Sequence, residues 1–199
     1  MRESISRKDL PRHIADVGLR ACYEFGVTGV GMAEIAERAQ VSKRTLYRHF
    51  PDKLSLVEAG LRARSDRWIE RLRRELPERA GSPRGRLIAL FDLLAEDVLA
   101  TPFLGCYFVN ATAQTAASDP TVRRLTQWHK KRLHDEVRTL ADSAGARDPD
   151  LLAGQLMLLV EGALASAAVS ATDAPVRLAG ATATQLIDQA VADTKESNA

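Results

Sequence analysis

Apolar residues recur every three or four positions along nearly the whole chain, and the strict alternation that marks strands is almost absent. The pattern predicts helices near 10–25, 32–39, 43–49, 52–76, 84–100, 103–116, 120–144, 149–171 and 175–194. Prolines set most of the boundaries, because Pro at a helix's first position needs no N–H and already has a helical φ. Ser82-Pro83, Thr101-Pro102, Asp119-Pro120 and Asp148-Pro149 each read as a capping residue followed by such a proline. Pro175, behind Thr172 and Asp173, marks a further start, and Gly81, Pro83 and Gly85 break the chain after the fourth helix. The expected fold class is all-α. No internal repeat is visible, and only 1–8 and 195–199 read as disordered.

The first three helices form a group of their own. Ile14, Val17, Ala21 and Phe25 share one face of the first helix and are expected to pack on Ile35 and Leu46. Residues 31–53, GMAEIAERAQVSKRTLYRHFPDK, then describe two short helices joined by a tight turn. Ile35, Ala36 and Ala39 make one apolar face, Val41 falls in the turn, and Leu46, Tyr47 and Phe50 supply a second face. Ser42 is placed to cap the second of these helices by accepting from a backbone N–H near Thr45. Lys43, Arg44, Thr45, Arg48 and His49 remain on the outward side, nearly all of them hydrogen-bond donors. A donor-rich helix behind a tight turn is what reading a DNA major groove requires.

These residues carry a family resemblance. Ile14, Ala15, Phe25, Gly26, Ile35, Ala36, Val41, Ser42, Thr45, Leu46, Tyr47, His49, Phe50, Lys53 and Leu56 follow the spacing IA…FG…IA…VS..TLY.HF..K..L. Over about residues 10–60 the chain resembles the N-terminal domain of the TetR family of bacterial transcriptional regulators. The resemblance implies nine helices, with a helix-turn-helix domain at 1–51 and a helical effector-binding and dimerisation domain at 52–199. It implies phosphate contacts from Thr45, Tyr47, His49 and Lys53, whose hydroxyl, imidazole and ammonium groups are competent donors to phosphate oxygens. Tyr47 is equally readable as a packed ring. Lys53 falls in the first turn of the fourth helix, where free backbone N–H groups would add to an anion site. Lys43, Arg44 and Arg48 are then the expected sequence readers, since Arg can hold guanine O6 and N7 through two hydrogen bonds; Arg48 also reads as a solvated side chain. Arg7, Lys8 and Arg12 could reach a neighbouring groove or form a basic tail.

Three positions depart from the family's form. Val30 and Gly31 stand where Thr or Ser commonly precedes the second helix, and Gly lacks a capping oxygen. Gln40 replaces the turn glycine and must accept the turn's backbone angle. Arg44 replaces a frequent small residue.

Net charge is only +2, yet its distribution is uneven: residues 1–86 hold 19 Lys+Arg against 12 Asp+Glu, and the remainder 9 against 14. A basic front and an acidic remainder suit a nucleic-acid module attached to a regulatory body, although a solvated helix surface accounts for much of the Arg excess at 62–74. No uninterrupted apolar run reaches the roughly 18–20 residues of a membrane span, MRESISRKDL lacks the apolar centre of a signal peptide, and Cys22 and Cys106 match no metal spacing. No membrane association, no metal, no cofactor and a cytoplasmic location are expected.

The fourth helix, with Leu54, Val57, Leu61, Trp68 and Leu72 on one face, is expected to link head and body. GALASAAVS at 162–170 offers a small-residue face, and Leu178, Ala181, Leu186, Ile187 and Ala190 a second amphipathic one. Two such helices from each subunit would form a four-helix dimer seam, or these faces close the monomer's own core. Candidate effector contacts are Trp68, Phe103, Cys106, Tyr107, Asn110, Trp128 and Glu161, each aromatic also readable as plain core. Glu161, an acid within LLVEGALA, needs a partner; pairing with an arginine across the dimer interface is preferred to meeting a cationic ligand. HKKRLH, with His129 and His134, reads as a solvated face.

No catalytic constellation is visible, so an enzyme is not expected. The expected function is a sequence-specific regulator: a homodimeric repressor on a roughly palindromic operator in double-stranded DNA, released by a small apolar effector. Alternatives are control by a protein partner or by thiol oxidation at Cys106, and a ligand carrier.

Overall fold

The computed structural model describes residues 9–100, 102–115 and 119–196. Among these residues there are nine helices and no strand: α1 (Leu10–Phe25), α2 (Met32–Arg38), α3 (Lys43–His49), α4 (Lys53–Arg79), α5 (Pro83–Ala100), α6 (Tyr107–Thr115), α7 (Thr121–Ser143), α8 (Pro149–Ser170) and α9 (Ala174–Glu196). The fold is all-α, as the periodicity predicts.

Most boundaries follow the expected capping chemistry. Ser82 Oγ accepts from the Gly85 N–H at 3.1 Å ahead of Pro83, and Asp148 Oδ1 accepts from the Leu151 N–H at 2.9 Å ahead of Pro149. Two boundaries differ. α4 continues past Pro77 to Arg79, although that proline cannot donate to the preceding turn; the Ala80 N–H closes the end on the Leu76 carbonyl at 3.1 Å. α6 starts at Tyr107 instead of 103, because Gly105 takes a left-handed φ of 99° that no helix can include. Thr101, Arg7, Lys8 and the expected disorder at 1–8 and 197–199 lie outside the described residues, while 195 and 196 belong to α9.

The chain divides into two compact units, Met1–Arg67 with Tyr107–Trp128, and Trp68–Cys106 with His129–Ala199. In the first, α1 packs on α2 and α6, and α2 on α3. Ile14, Ile35, Leu46, Leu56 and Leu61 are sealed in its core, each worth about 1.5–3 kcal/mol of apolar burial. α4 approaches α1 through Gly60, where a Cβ would lie 2.9 Å from the Ala15 carbonyl oxygen and 2.7 Å from Leu19 Cβ. One expected core member is not there. Phe25 is 54% exposed and carries the Arg38 guanidinium 4.6 Å above its ring, because it ends α1 beyond the helix's buried face.

In the second unit α8 packs on α9, and both on α5, around Leu87, Leu90, Leu152, Leu156, Val176 and Ile187. α8 is long and apolar enough to cross a membrane by length and composition. Gln155 and Glu161 interrupt its apolar run, so the sequence shows no unbroken span there. Its packing on α5 and α9 makes it a core helix of this unit. The Arg excess of α4 is absorbed in ion pairs. Arg71 meets Glu75 at 3.1 Å, Glu96 at 3.3 Å and Asp97 at 2.9 Å, and Arg79 meets Glu96 at 2.7 Å. Arg74 and Arg71 hold the Glu75 carboxyl below its ordinary pKa, and Arg79 does the same for Glu96.

Candidate nucleic-acid interface

The interface is built by two helix ends. α2 finishes in a six-residue turn in which the Val41 N–H donates to the Ala36 carbonyl and the Gln40 N–H to the Glu37 carbonyl, both at 2.9 Å. This pairing needs a left-handed residue between them, and Gln40 supplies it with a φ of 56°. The same pairing closes α7, there with Gly145 at the left-handed position, Ala146 donating to Ala141 and Gly145 to Asp142. Gly31 caps α2 in an extended conformation without any side-chain bond. His13 Nε2 lies 3.2 Å from the Ala39 carbonyl oxygen, joining α1 to the turn.

α3 starts with the expected cap: Ser42 Oγ accepts from the Thr45 N–H at 3.1 Å and sits 2.9 Å from Thr45 Oγ1. Leu46 is fully buried and Phe50 nearly so, which fixes the rotation of the helix. At 3.6 residues per turn, Arg44 and Arg48, four apart, then lie opposite Leu46. Lys43 and Tyr47 form one flank, Thr45 and His49 the other. Ser42, Lys43, Arg44, Tyr47 and Arg48 are exposed, and Thr45 and His49 half-buried. Tyr47, placed on the apolar face from sequence, is 50% exposed. Seven of the eight DNA candidates thus share α3 and its cap.

The eighth, Lys53, is already engaged. Its Nζ donates to the Val27 carbonyl at 2.7 Å, in the loop between α1 and α2. The first turn of α4 is also less open to anions than expected, because Asp52 Oδ1 accepts from the Ser55 N–H at 2.7 Å and places a carboxylate there. The sequence reading missed Gln114. Its Oε1 accepts from the Val27 N–H at 2.5 Å, so the loop is held at both polar groups of one residue, from α6 and from α4. Nothing in the amide's sequence context marks it. Cys22 lines the same small void as Val27; burial pushes its thiol up to about 11, against the opposing charge of Lys53.

The effector candidates are distributed over both units. In the first, Tyr107 stacks on Tyr23 with centroids 3.6 Å apart, Trp128 receives the Arg62 guanidinium at 5.4 Å, and Tyr107 and Asn110 line a void of about 10 Å³. That is scarcely one water. In the second, Trp68 and Phe103 pack against the core, and Lys130 pairs with Glu161 while its Nζ sits 3.6 Å from Cys106 Sγ. Glu161 therefore meets a lysine of its own chain, on α7.

Residues 14–59 match the family of bacterial regulatory proteins called tetR. Over 177 residues the chain is 30% identical to the HTH-type transcriptional regulator BetI of Burkholderia cenocepacia, covering 83% of this chain and 88% of that one. The chain belongs to the TetR family. The crystal structure of a TetR-family transcriptional regulator from Streptomyces coelicolor superposes with a TM-score of 0.77 at 25% identity, over 94% of this chain and 96% of that one. A TetR-family regulator from Cytophaga hutchinsonii, 16% identical over 94% and 98% of the two chains, shares the fold with a TM-score of 0.80. As a TetR-family protein this chain is a transcriptional regulator with a DNA-binding helix-turn-helix; its family and relatives are regulators, not enzymes.

Proposed function

We propose that this regulator is a homodimeric repressor that sits on a roughly palindromic operator and leaves it when a small apolar effector binds. Residues 1–51 read the DNA and 52–199 carry dimerisation and effector binding, in the cytoplasm. Lys43, Arg44 and Arg48 read base edges, while Tyr47, Thr45, His49, Lys53 and the cap at Ser42 hold the phosphates on either side.

The observation that carries the reading is a surface. On α8, Leu151, Leu158 and Val169 are 58%, 75% and 90% exposed, and with Gly162 and Ala165 they share one helical face. Leu178 of α9 is 71% exposed. Such apolar area is costly in water and fits a two-fold seam with a second copy. Two copies would set two α3 helices on successive major grooves, about 34–36 Å apart. The effector part follows the family's usual arrangement, with Trp68, Phe103, Cys106, Tyr107, Asn110, Trp128 and Glu161 as candidate contacts. Release requires the effector to favour the conformation that does not fit the operator.

The test is binding of the purified protein to its own upstream DNA, for wild type and Lys43→Ala/Arg44→Ala/Arg48→Ala. Two chains per site, with sequence preference lost in the variant, supports the reading. Binding by one chain, or equal binding to any sequence by both proteins with one salt slope, rejects it. Release of repression in a purified transcription assay, on adding apolar small molecules, tests the effector part separately.

A further inference from the structure

The first unit contains a cleft that no DNA-facing residue lines. Asp16, Leu19 and Arg20 of α1, Arg64 and Arg67 of α4, and Tyr107 of α6 line this open cleft of about 270 Å³, and all six belong to that unit. Three guanidiniums and one carboxylate give this lining a charge of +2. Arg67 grips Asp16 through two hydrogen bonds, at 3.1 and 2.8 Å, so α1 and α4 are clipped together at the cleft. Arg64 is held in place by stacking: its guanidinium carbon lies 3.8 Å from the centroid of Tyr107, whose other face rests on Tyr23. Arg20 is exposed on α1 and completes the lining.

We propose that this cleft binds a small organic dianion, and that the ligand acts on α1 by competing with Asp16 for Arg67. Charge sets the valence, since two negative charges neutralise the lining. Volume bounds the size: about 270 Å³ admits a small organic ion with two charged groups. Geometry sets the group, because guanidiniums bind carboxylate or phosphoryl oxygens in parallel pairs. DNA is the wrong occupant, for Arg64 lies eleven residues beyond Lys53, about 16 Å further along α4. Of the six lining residues only Tyr107 is shared with the apolar effector contacts proposed above, and the charged site does not depend on them.

The experiment is titration calorimetry on the full chain without DNA, at fixed ionic strength, with glutarate, butyrate and inorganic phosphate as probes. Glutarate is expected to bind at least about tenfold more tightly than butyrate, the added carboxylate making a second charge-assisted pair. Arg20→Gln, at an exposed position, should weaken glutarate by about tenfold, and Asp16→Asn should tighten it by removing the competitor. Phosphate binding more tightly than glutarate, with the same response to both variants, would also support the site and place a phosphoryl group in the ligand. No heat at about 10 mM of any probe, equal binding of glutarate and butyrate, or binding indifferent to both variants overturns the proposal. Thermal melts of both variants confirm folding. Because the readout contains no DNA, its failure is distinguishable from failure of the operator reading.

Discussion

α3 and α8 each turn outward a face that the folded chain does not use, and the two faces are chemically opposite. On α3, Leu46 alone is sealed in the core and the remainder carries ammonium, guanidinium, hydroxyl or imidazole groups. On α8, Leu152, Leu156 and Val160 fill the core while Leu151, Leu158 and Val169 stand in solvent. A helix with one apolar face needs only its own protein. One that is apolar on two faces needs something more, and this explains why α8 is apolar enough to pass for a membrane span. On the proposed function the contrast pairs different surfaces with different partners: a polyanion read by donors for α3, an apolar copy of itself for α8.

The sharpest way to break the contrast is at the centre of α3. Arg44→Ala/Arg48→Ala should lower affinity for the operator by at least about 100-fold, each bidentate contact being worth roughly 1–3 kcal/mol. Affinity for random DNA should change far less, in parallel fluorescence anisotropy titrations. Replacing the flank instead, with Thr45→Ala/His49→Ala, should weaken both DNAs together. On the other side, Leu158→Lys/Val169→Lys should turn a dimer into a monomer by sedimentation while leaving the thermal melt of the second unit's core nearly unchanged. A variant that stays dimeric would remove α8 from the seam.

Smaller effects test the frame that presents α3. Gln114→Ala deprives the Val27 N–H of its acceptor and should cost about 1 kcal/mol, seen as faster amide exchange across 26–31. Gln40→Gly relieves a left-handed side chain and should stabilise the head by up to about 1 kcal/mol, whereas Gly145→Ala at the equivalent turn of α7 should destabilise by a similar amount. Neither touches an outward face, so DNA affinity should hold. Smallest of all, Gly31→Ser should add a few tenths of a kcal/mol by capping α2, in space where a Cβ meets nothing within 4 Å.

The helices, their caps and the rotation of α3 were legible because they follow from local chemistry: Ser42 must satisfy an N–H near Thr45, Pro83 and Pro149 must start helices, and Leu46 must be buried. Gln40 was recognisable as a position of strain for the same reason. What could not be read depends on partners distant in sequence. Phe25 fits an apolar stripe yet lies past the point where α1 meets its neighbours. Gln114 reaches a loop 87 residues away, and Glu161 finds Lys130 only once α7 and α8 are folded. The early end assigned to α4 failed differently, because a proline less than a turn from a helix terminus removes one bond and not the helix.

The shared ammonium of Lys53 has one further consequence. A phosphate gripped by Lys53 and the loop carbonyl of Val27 draw on one cation, so the affinity of the first and the closure of the second form a thermodynamic cycle. Whatever factor loop closure takes from phosphate binding, phosphate binding must take from loop closure. Operator DNA should therefore speed amide exchange at Val27, a residue that need not touch it, and the extent of that change would measure how strongly the closed loop opposes the phosphate contact.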